Sequence, residues 1–421
     1  PARVTGRPVT SPAFALLAAL PFFILAGLHF RNGPLLFVAG VLLFLLGASW
    51  AFGGEAKRRI ACRRSAHPRA FEGAPADVRL ALANHSGFPL LGAEVIDRFD
   101  AQDLLPKELA VPVDVRPRHT VEISYTGLCL RHRGEYALGP VAVRFYDPLG
   151  LFLRTRRFSE QSRFAVLPKP LPLARLGLEG RSALLSAANP DRQTRGESIK
   201  FYGVREYRSG DSLRHVHWKA SARLARLVVR QFEASVSSQI TIFLDLARAN
   251  LAGTGAEATV EYAIRAAAAI AAAAVAQGHE IQLFAEGESP FVTKLGSGAE
   301  HLGYLLRRLA VAKPKGARPL PDIVARHAER VPQGSHVFLI LAGGGGGNEK
   351  AFARACAYLR GRHASIAALV VDDRTFVQLD RWREELSADP WPPCAHTLVR
   401  LGVQVRIIKR GDDLLGRLQE R

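Results

Sequence analysis

GESIKFYGVREYRSGDSLRHVHWKASARLARLVVRQFE occupies residues 196–233, and QITIFLD follows at 239–245. The first stretch crowds Arg, Lys, His, Trp and Tyr around turn residues. The second is an apolar run ending in an acid, the form of a buried strand. From there onward strands and helices alternate. Strand-like runs at 239–245, 280–285, 336–342, 364–371 and 401–408 are separated by helical patterns at 259–277, 299–312, 320–331 and 348–362, and a helix at 412–419 closes the series. Gly278 suits the position just past a helix end. This alternation predicts a parallel sheet with helices on both faces. The alanine-rich segment 266–274 lets its helix approach the sheet closely.

Upstream, from about 63 to 170, the texture is different. Short alternating segments such as 77–83 (DVRLALA), 121–125 (VEISY) and 141–145 (VAVRF) lie between turn signals at 84–87, 116–117, 133–134 and 147–148. Regularly spaced strands of this kind predict an antiparallel sandwich. Its histidines, His85, His119 and His132, are isolated polar positions rather than a ligand cluster.

Two runs, 8–30 and 32–54, contain no Asp, Glu, Lys or Arg, and only Arg31 stands between them. Each is long enough for a hydrocarbon core, which takes about 20 helical residues. A secretory signal would show one shorter apolar region and a small-residue cleavage site. The pair instead predicts a helical hairpin, with Pro34 in the first turn of the second helix and Pro21 bending the first. Arg3 and Arg7 precede the hairpin, and Lys57, Arg58, Arg59, Arg63 and Arg64 follow it. By the positive-inside rule both ends are expected in the cytoplasm, at a plasma (inner) membrane.

The formal net charge of +19 favours anionic partners. No run of five or six basic residues stands out, and no aromatic-interleaved recognition motif is visible, so nucleic acid is not the expected partner. The four cysteines are scattered, with no C-x-x-C pair to signal zinc or a disulfide framework.

Past the anchor, the chain resembles the bacterial domain-of-unknown-function 58 family. Matching residues are Gly196, Glu197, Phe201, Tyr202, Gly203, Arg205, Glu206, Tyr207, Arg208, Gly210, Asp211, Arg214, His217, Trp218, Lys219, Ser221, Ala222, Arg223, Val228, Val229, Arg230 and Glu233. RGEYALGP at 133–140 and DPLGLF at 147–152 match the region that joins the family's sandwich to this motif. The resemblance implies two anchoring helices and a C-terminal half similar to a von Willebrand factor A domain. It also implies partnership with a MoxR-type AAA+ ATPase in assembling or remodelling client proteins.

A working domain of the von Willebrand A type holds a divalent ion through D-x-S-x-S after its first strand. Here Asp245 is followed by Leu246, Ala247, Arg248 and Ala249, so both hydroxyls are missing and Arg248 repels a cation. Thr254 and Thr259 leave the ligand count too low for a hard cation. No metal and no cofactor are expected, and Asp245 is read as a degenerate site. The glycine run 343–347 fails the P-loop pattern at Glu349 and Ala351 and the dinucleotide pattern at Asn348.

The central motif has two readings. Its arginines and acids form an ion-pair network around Trp218 that locks the segment to the sheet domain, or they present an Arg/aromatic surface to an acidic partner. Asp211, His215, His217 and Ser221 show no spacing typical of a catalytic turn.

The expected organisation is therefore an anchor at 1–62, a β-sandwich at 63–172, a linker with the motif at 173–238 and an α/β domain at 239–421. The expected function is a non-enzymatic, membrane-anchored adaptor for a MoxR-type ATPase. The alternatives are an anionic-ligand module for nucleic acid or acidic lipid, and a cryptic hydrolase at the motif.

Overall fold

The computed structural model describes residues 10–66, 69–102, 108–173, 176, 200–207, 216–233, 238–288, 290–343, 349–376, 389 and 391–419. Two compact units divide it, Pro1–Lys169 and Pro170–Arg421.

The first unit opens with helices α1 (Ser11–His29) and α2 (Gly33–Arg58). Both are long and apolar enough to cross a membrane, and only 11% and 17% of their most apolar windows are buried within the protein. Thr10 caps α1 by accepting from the Ala13 N–H, and α1 continues as helix through Pro21.

Ten strands follow among the described residues: β1 (Ile60–Ala66), β2 (Arg69–Phe71), β3 (Pro75–Asn84), β4 (Leu90–Arg98), β5 (Glu108–Val115), β6 (Thr120–Leu128), β7 (Gly134–Leu138), β8 (Val141–Tyr146), β9 (Leu153–Phe158) and β10 (Ser162–Leu167). They form sheets ordered β1-β3-β6, β2-β10-β7 and β5-β4-β8-β9. β1 starts at Ile60, within the segment assigned from sequence to the anchor, and anchor and strands share one unit.

Period-two alternation along β3 sends Val78, Leu80 and Leu82 inward. Leu80, Leu82 and Ile123 pack against Val95, Val143 and Phe145 of the facing sheet. Arg64 on β1 and Asp97 on β4 pair in this interior, with the Tyr125 hydroxyl donating to Asp97 at 2.6 Å.

The sandwich grips the end of α2. Arg154 on β9 donates to the Trp50 carbonyl at 3.1 Å, and Arg156 donates to the Arg58 carbonyl at 2.6 Å. The Arg58 carbonyl is among the last four of α2, which lack intrahelical donors and where a cation is favoured by the helix dipole, whereas the Trp50 carbonyl lies two turns further in. Gly53 makes room for Arg154, whose Nε would lie 3.1 Å from any added Cβ.

The second unit opens with a ribbon, β11 (Lys200–Glu206) paired antiparallel with β12 (Val228–Glu233), and helix α3 (Trp218–Leu224) lies between them in sequence. The α/β part follows: β13 (Gln239–Leu244), α4 (Thr259–Ala276), β14 (Glu280–Glu286), β15 (Pro290–Val292), α5 (Gly298–Ala310), α6 (Leu320–His327), β16 (His336–Leu341), α7 (Glu349–Gly361), β17 (Ser365–Val371), α8 (Pro393–Arg400), β18 (Gln404–Ile408) and α9 (Leu414–Gln419).

Strand order is β15-β14-β13-β16-β17-β18, parallel throughout except for β15 at the edge. Order reverses between β13 and β16, which makes the carboxyl ends of those strands the usual ligand position. Helix α4 is also apolar enough for a membrane, yet 72% of its window is buried because its small alanine faces pack into this unit. Two elements were not legible in sequence. β15 is too short to show periodicity, and α8 hides behind Pro392 and Pro393.

Candidate functional site

The described residues of the motif hold one another through local hydrogen bonds. Tyr207 N–H donates to the Leu227 carbonyl at 2.9 Å, and His217 N–H donates to the Val228 carbonyl at 2.9 Å. Val216 bridges Val229, so β12 is gripped from both sides. The His217 ring caps α3 by accepting from Ala220 N–H at 3.3 Å. Ser221 is buried, and its hydroxyl accepts from the Val228 N–H at 3.0 Å. Both polar side chains are thus used in holding the ribbon together.

What remains faces solvent. Trp218 begins α3 and is 64% exposed, and Leu224 at the end of α3 and Leu227 after it are also exposed. Lys219, Arg223 and Arg226 are exposed on the same segment, and Arg226 pairs loosely with Glu206 at 3.7 Å. Of the two readings of the motif, the one that puts Trp218 at the apolar centre of a locking network does not fit this exposure. As the first residue of a seven-residue helix it points outward, and Val216, Val228 and Val229 are the buried residues here. Arg226, Leu224 and Leu227 belong to this surface and were missed, because a short helix gives no periodicity long enough to sort its faces.

Phe201, Arg205 and Arg230 lie on the ribbon, with Phe201 opposite Phe232, Arg205 opposite Val229, and Arg230 opposite Val204. Glu197, Arg208, Gly210, Asp211 and Arg214 lie outside the described residues, as does His215.

The second candidate is Asp245, at the carboxyl end of β13 and fully buried. Ala247 N–H donates to Oδ1 at 2.9 Å, and the Asn250 amide donates to Oδ2 at 2.6 Å. Burial raises its pKa, and the hydrogen bonds from Ala247, Asn250 and Ala342 oppose that rise. Thr259 cannot turn toward a cation without loss, because its hydroxyl accepts from Ala252 N–H and donates to the Asn250 carbonyl, both at 3.1 Å. Among the described residues no group of three or more His, Cys, Asp or Glu could hold a metal. Asn250 was missed from sequence. Gly343 has a packing reason, since an added Cβ would lie 2.9 Å from the Asn250 carbonyl. The rest of the glycine run, 344–347, lies outside the described residues.

Residues 203–377 match the family model described as "Protein of unknown function DUF58". The matched region is similar to that family over less than half of the chain. It takes in most of the ribbon, all of α3 and the sheet as far as β17. The Bacillus subtilis (strain 168) protein "Uncharacterized protein YeaD" is 26% identical over 189 residues, 45% of this chain and 45% of that protein, so the match spans under half of the relative. Among solved structures, the SpRpn10 VWA domain is 12% identical, with 44% of this chain and 94% of that chain covered at a TM-score of 0.28. Proximal thread matrix protein 1 from the mussel byssus is 11% identical, with 44% and 46% covered at a TM-score of 0.30. By its own strand order, the α/β part is a doubly wound sheet with an antiparallel strand at one edge.

Proposed function

We propose that this chain is a membrane-tethered protein-interaction scaffold with no active site of its own, and that its partner is a MoxR-type AAA+ ATPase acting on client proteins. One observation carries the reading. Within residues 218–227, Trp218, Leu224 and Leu227 are exposed together with Lys219, Arg223 and Arg226, an aromatic, aliphatic and basic composition of the kind enriched at protein interfaces. An acidic partner surface with an apolar pocket complements it.

Support for a non-catalytic role comes from the same segment. His217 and Ser221, the two described members of the hydrolase alternative, are committed to a helix cap and a strand clip. The sequence holds no Walker motif, so ATP chemistry would belong to the partner. Lys57, Arg58 and Arg59 at the end of α2 favour a cytoplasmic position for that end.

The test is co-purification from native membranes of tagged wild type beside Trp218→Ala and Arg205→Ala. Retention of an ATPase by wild type and its loss from Trp218→Ala, with membrane insertion unchanged, is the expected result. Recovery of the same partners by both variants would overturn the docking assignment. The +19 charge keeps a second reading open, capture of an anionic ligand, for which salt-sensitive recovery of nucleic acid or acidic lipid without any ATPase is the mark.

A further inference from the structure

The turn between β8 and β9, residues 146–152, reads YDPLGLF. It does not face open solvent alone. Leu151 packs with Ala13 of α1 and Leu46 of α2, and Leu16 and Phe152 close the same cluster. Thr10 donates to the Leu151 carbonyl through its N–H at 3.1 Å and through its hydroxyl at 2.9 Å. Ser49, on α2, donates its hydroxyl to the Asp147 carboxylate. The turn therefore sits between two helices apolar enough to cross a membrane.

Its depth follows from helix geometry. Leu46 precedes Glu55, the first charge after the apolar run of α2. Nine residues of helix separate them, about 13 Å along the axis. With Glu55 at the headgroups, Leu46 is roughly 10 Å inside a hydrocarbon slab about 30 Å thick. On the other helix the contact lies at Thr10, immediately before α1 begins. The turn spans the zone between the hydrocarbon boundary and the level of Leu46.

Irregular backbone survives at that level only if its polar groups find partners. Here Pro148 has no N–H to satisfy. The Leu149 N–H donates to Asp147 Oδ2 at 3.0 Å, the Phe152 N–H donates to Asp147 Oδ1, and the Gly150 N–H donates to the Asp147 carbonyl at 2.8 Å. The buried Asp147 thus takes three N–H donors of the turn, two on its carboxylate and one on its backbone carbonyl, and Ser49 gives the carboxylate a further hydrogen bond. The side chains left outside are apolar or amphipathic: Leu149 is 52% exposed and Tyr146 is 41% exposed. Above them stands a cationic tier, with Arg154 over the Trp50 ring at 5.8 Å and Arg156 on the last carbonyls of α2. Tyr and Trp at a boundary with Arg above them is the order found across a headgroup region.

We propose that the turn 146–152 is a third membrane-embedded element, inserted into the acyl chains of the leaflet next to the sandwich. Leu149 is its lipid-facing tip, and the element welds the sandwich to the bilayer rather than leaving it on a free tether. The inference rests on the reading that α1 and α2 span the membrane.

The test uses the full chain with Cys62→Ser, which removes the half-exposed thiol and leaves three buried cysteines. A single new cysteine is placed at Leu149→Cys, at Phe44→Cys in the middle of α2, or at Leu128→Cys, which pairs with Pro75 at the end of β3 away from α2. Each is labelled with an environment-sensitive fluorophore and reconstituted into phosphatidylcholine/phosphatidylglycerol vesicles, with and without doxyl-labelled lipid. The labels at 149 and 44 are expected to show blue-shifted emission and loss of intensity with doxyl lipid, and the label at 128 neither. A lipid-quenched label at 44 with an aqueous label at 149 overturns the turn insertion alone. An aqueous label at 44 overturns the membrane reading and the turn insertion with it.

Discussion

The Asn250 carboxamide donates to one carboxylate oxygen of Asp245 at 2.6 Å while the Ala247 N–H holds the other at 2.9 Å, so both oxygens face the protein's own donors. In a working von Willebrand A-type site that carboxylate would face a cation and its water. Here an amide and a backbone N–H donate to the two oxygens instead. Mg²⁺ or Mn²⁺ is therefore expected to give no saturable rise in Tm. A saturable rise that Asp245→Ala abolishes would refute the assignment of a degenerate site.

Burial raises the pKa of Asp245, so the folded state prefers its neutral form more than the unfolded chain does. Its contribution to stability is complete below the ordinary Asp value of about 3.9 and is lost as pH rises through the raised folded value. Asp245→Asn should remove that loss. Denaturant unfolding of wild type and variant from acid to neutral pH should show the variant gaining relative stability as pH rises, and parallel curves would contradict the sign.

Three histidines of the α/β part, His279, His327 and His336, have pKa values lowered by burial. For His336 the charge on His279 adds to the effect, and its Nε2 has no hydrogen-bond partner. A His whose folded pKa is depressed resists protonation in the native state. Stability is then fullest above the ordinary value of about 6.5 and falls as pH drops below it. His336→Phe should unfold later than wild type in acid and show a flatter stability profile between neutral pH and about pH 5.

Ser221 and Trp218 stand three residues apart and should behave oppositely. Ser221→Ala strands the buried N–H of Val228, at a cost of about 1–3 kcal/mol in chemical denaturation. Trp218→Ala removes an exposed ring and should change stability by no more than about 0.5 kcal/mol, while partner recovery falls. A large stability loss at Trp218 would place it in a core and remove the basis of the interface proposal.

Asp97→Ala tests the sandwich interior. It leaves Arg64 with a side chain only 7% exposed and no carboxylate, and it takes the acceptor from the Tyr125 hydroxyl. Breaking a buried pair from one side costs about 3–5 kcal/mol, which a urea titration would register as an earlier midpoint. A midpoint within error of wild type would show that Arg64 re-pairs or reaches water.

Legibility in sequence tracked the range of the interactions. The apolar runs of α1 and α2, the alternation in β3 and the spacing of strands and helices after 239 are local patterns, set by period and length. The family motif was legible as a string of residue types, but not which of its members turn outward. Val216, Val228 and Ser221 are buried and Trp218 is exposed because a strand clip on the Ser221 hydroxyl and a helix cap on the His217 ring, each accepting a backbone N–H, rotate the segment one way. Such bonds leave no mark in composition.

By itself, then, the sequence determined the class of each segment: membrane-length helices, antiparallel strands and an α/β sheet. Hydrophobic periodicity and ligand chemistry are properties of neighbours along the chain, so reading them needed nothing more. Tertiary structure alone decided that Asn250 donates to Asp245, that Arg154 reaches the Trp50 carbonyl and Arg156 the last carbonyl of α2, and that a six-residue DPLGLF stretch lies against two apolar helices. The last two contacts join residues about a hundred or more positions apart, where only the closing of the fold brings donor and acceptor within 3 Å or so.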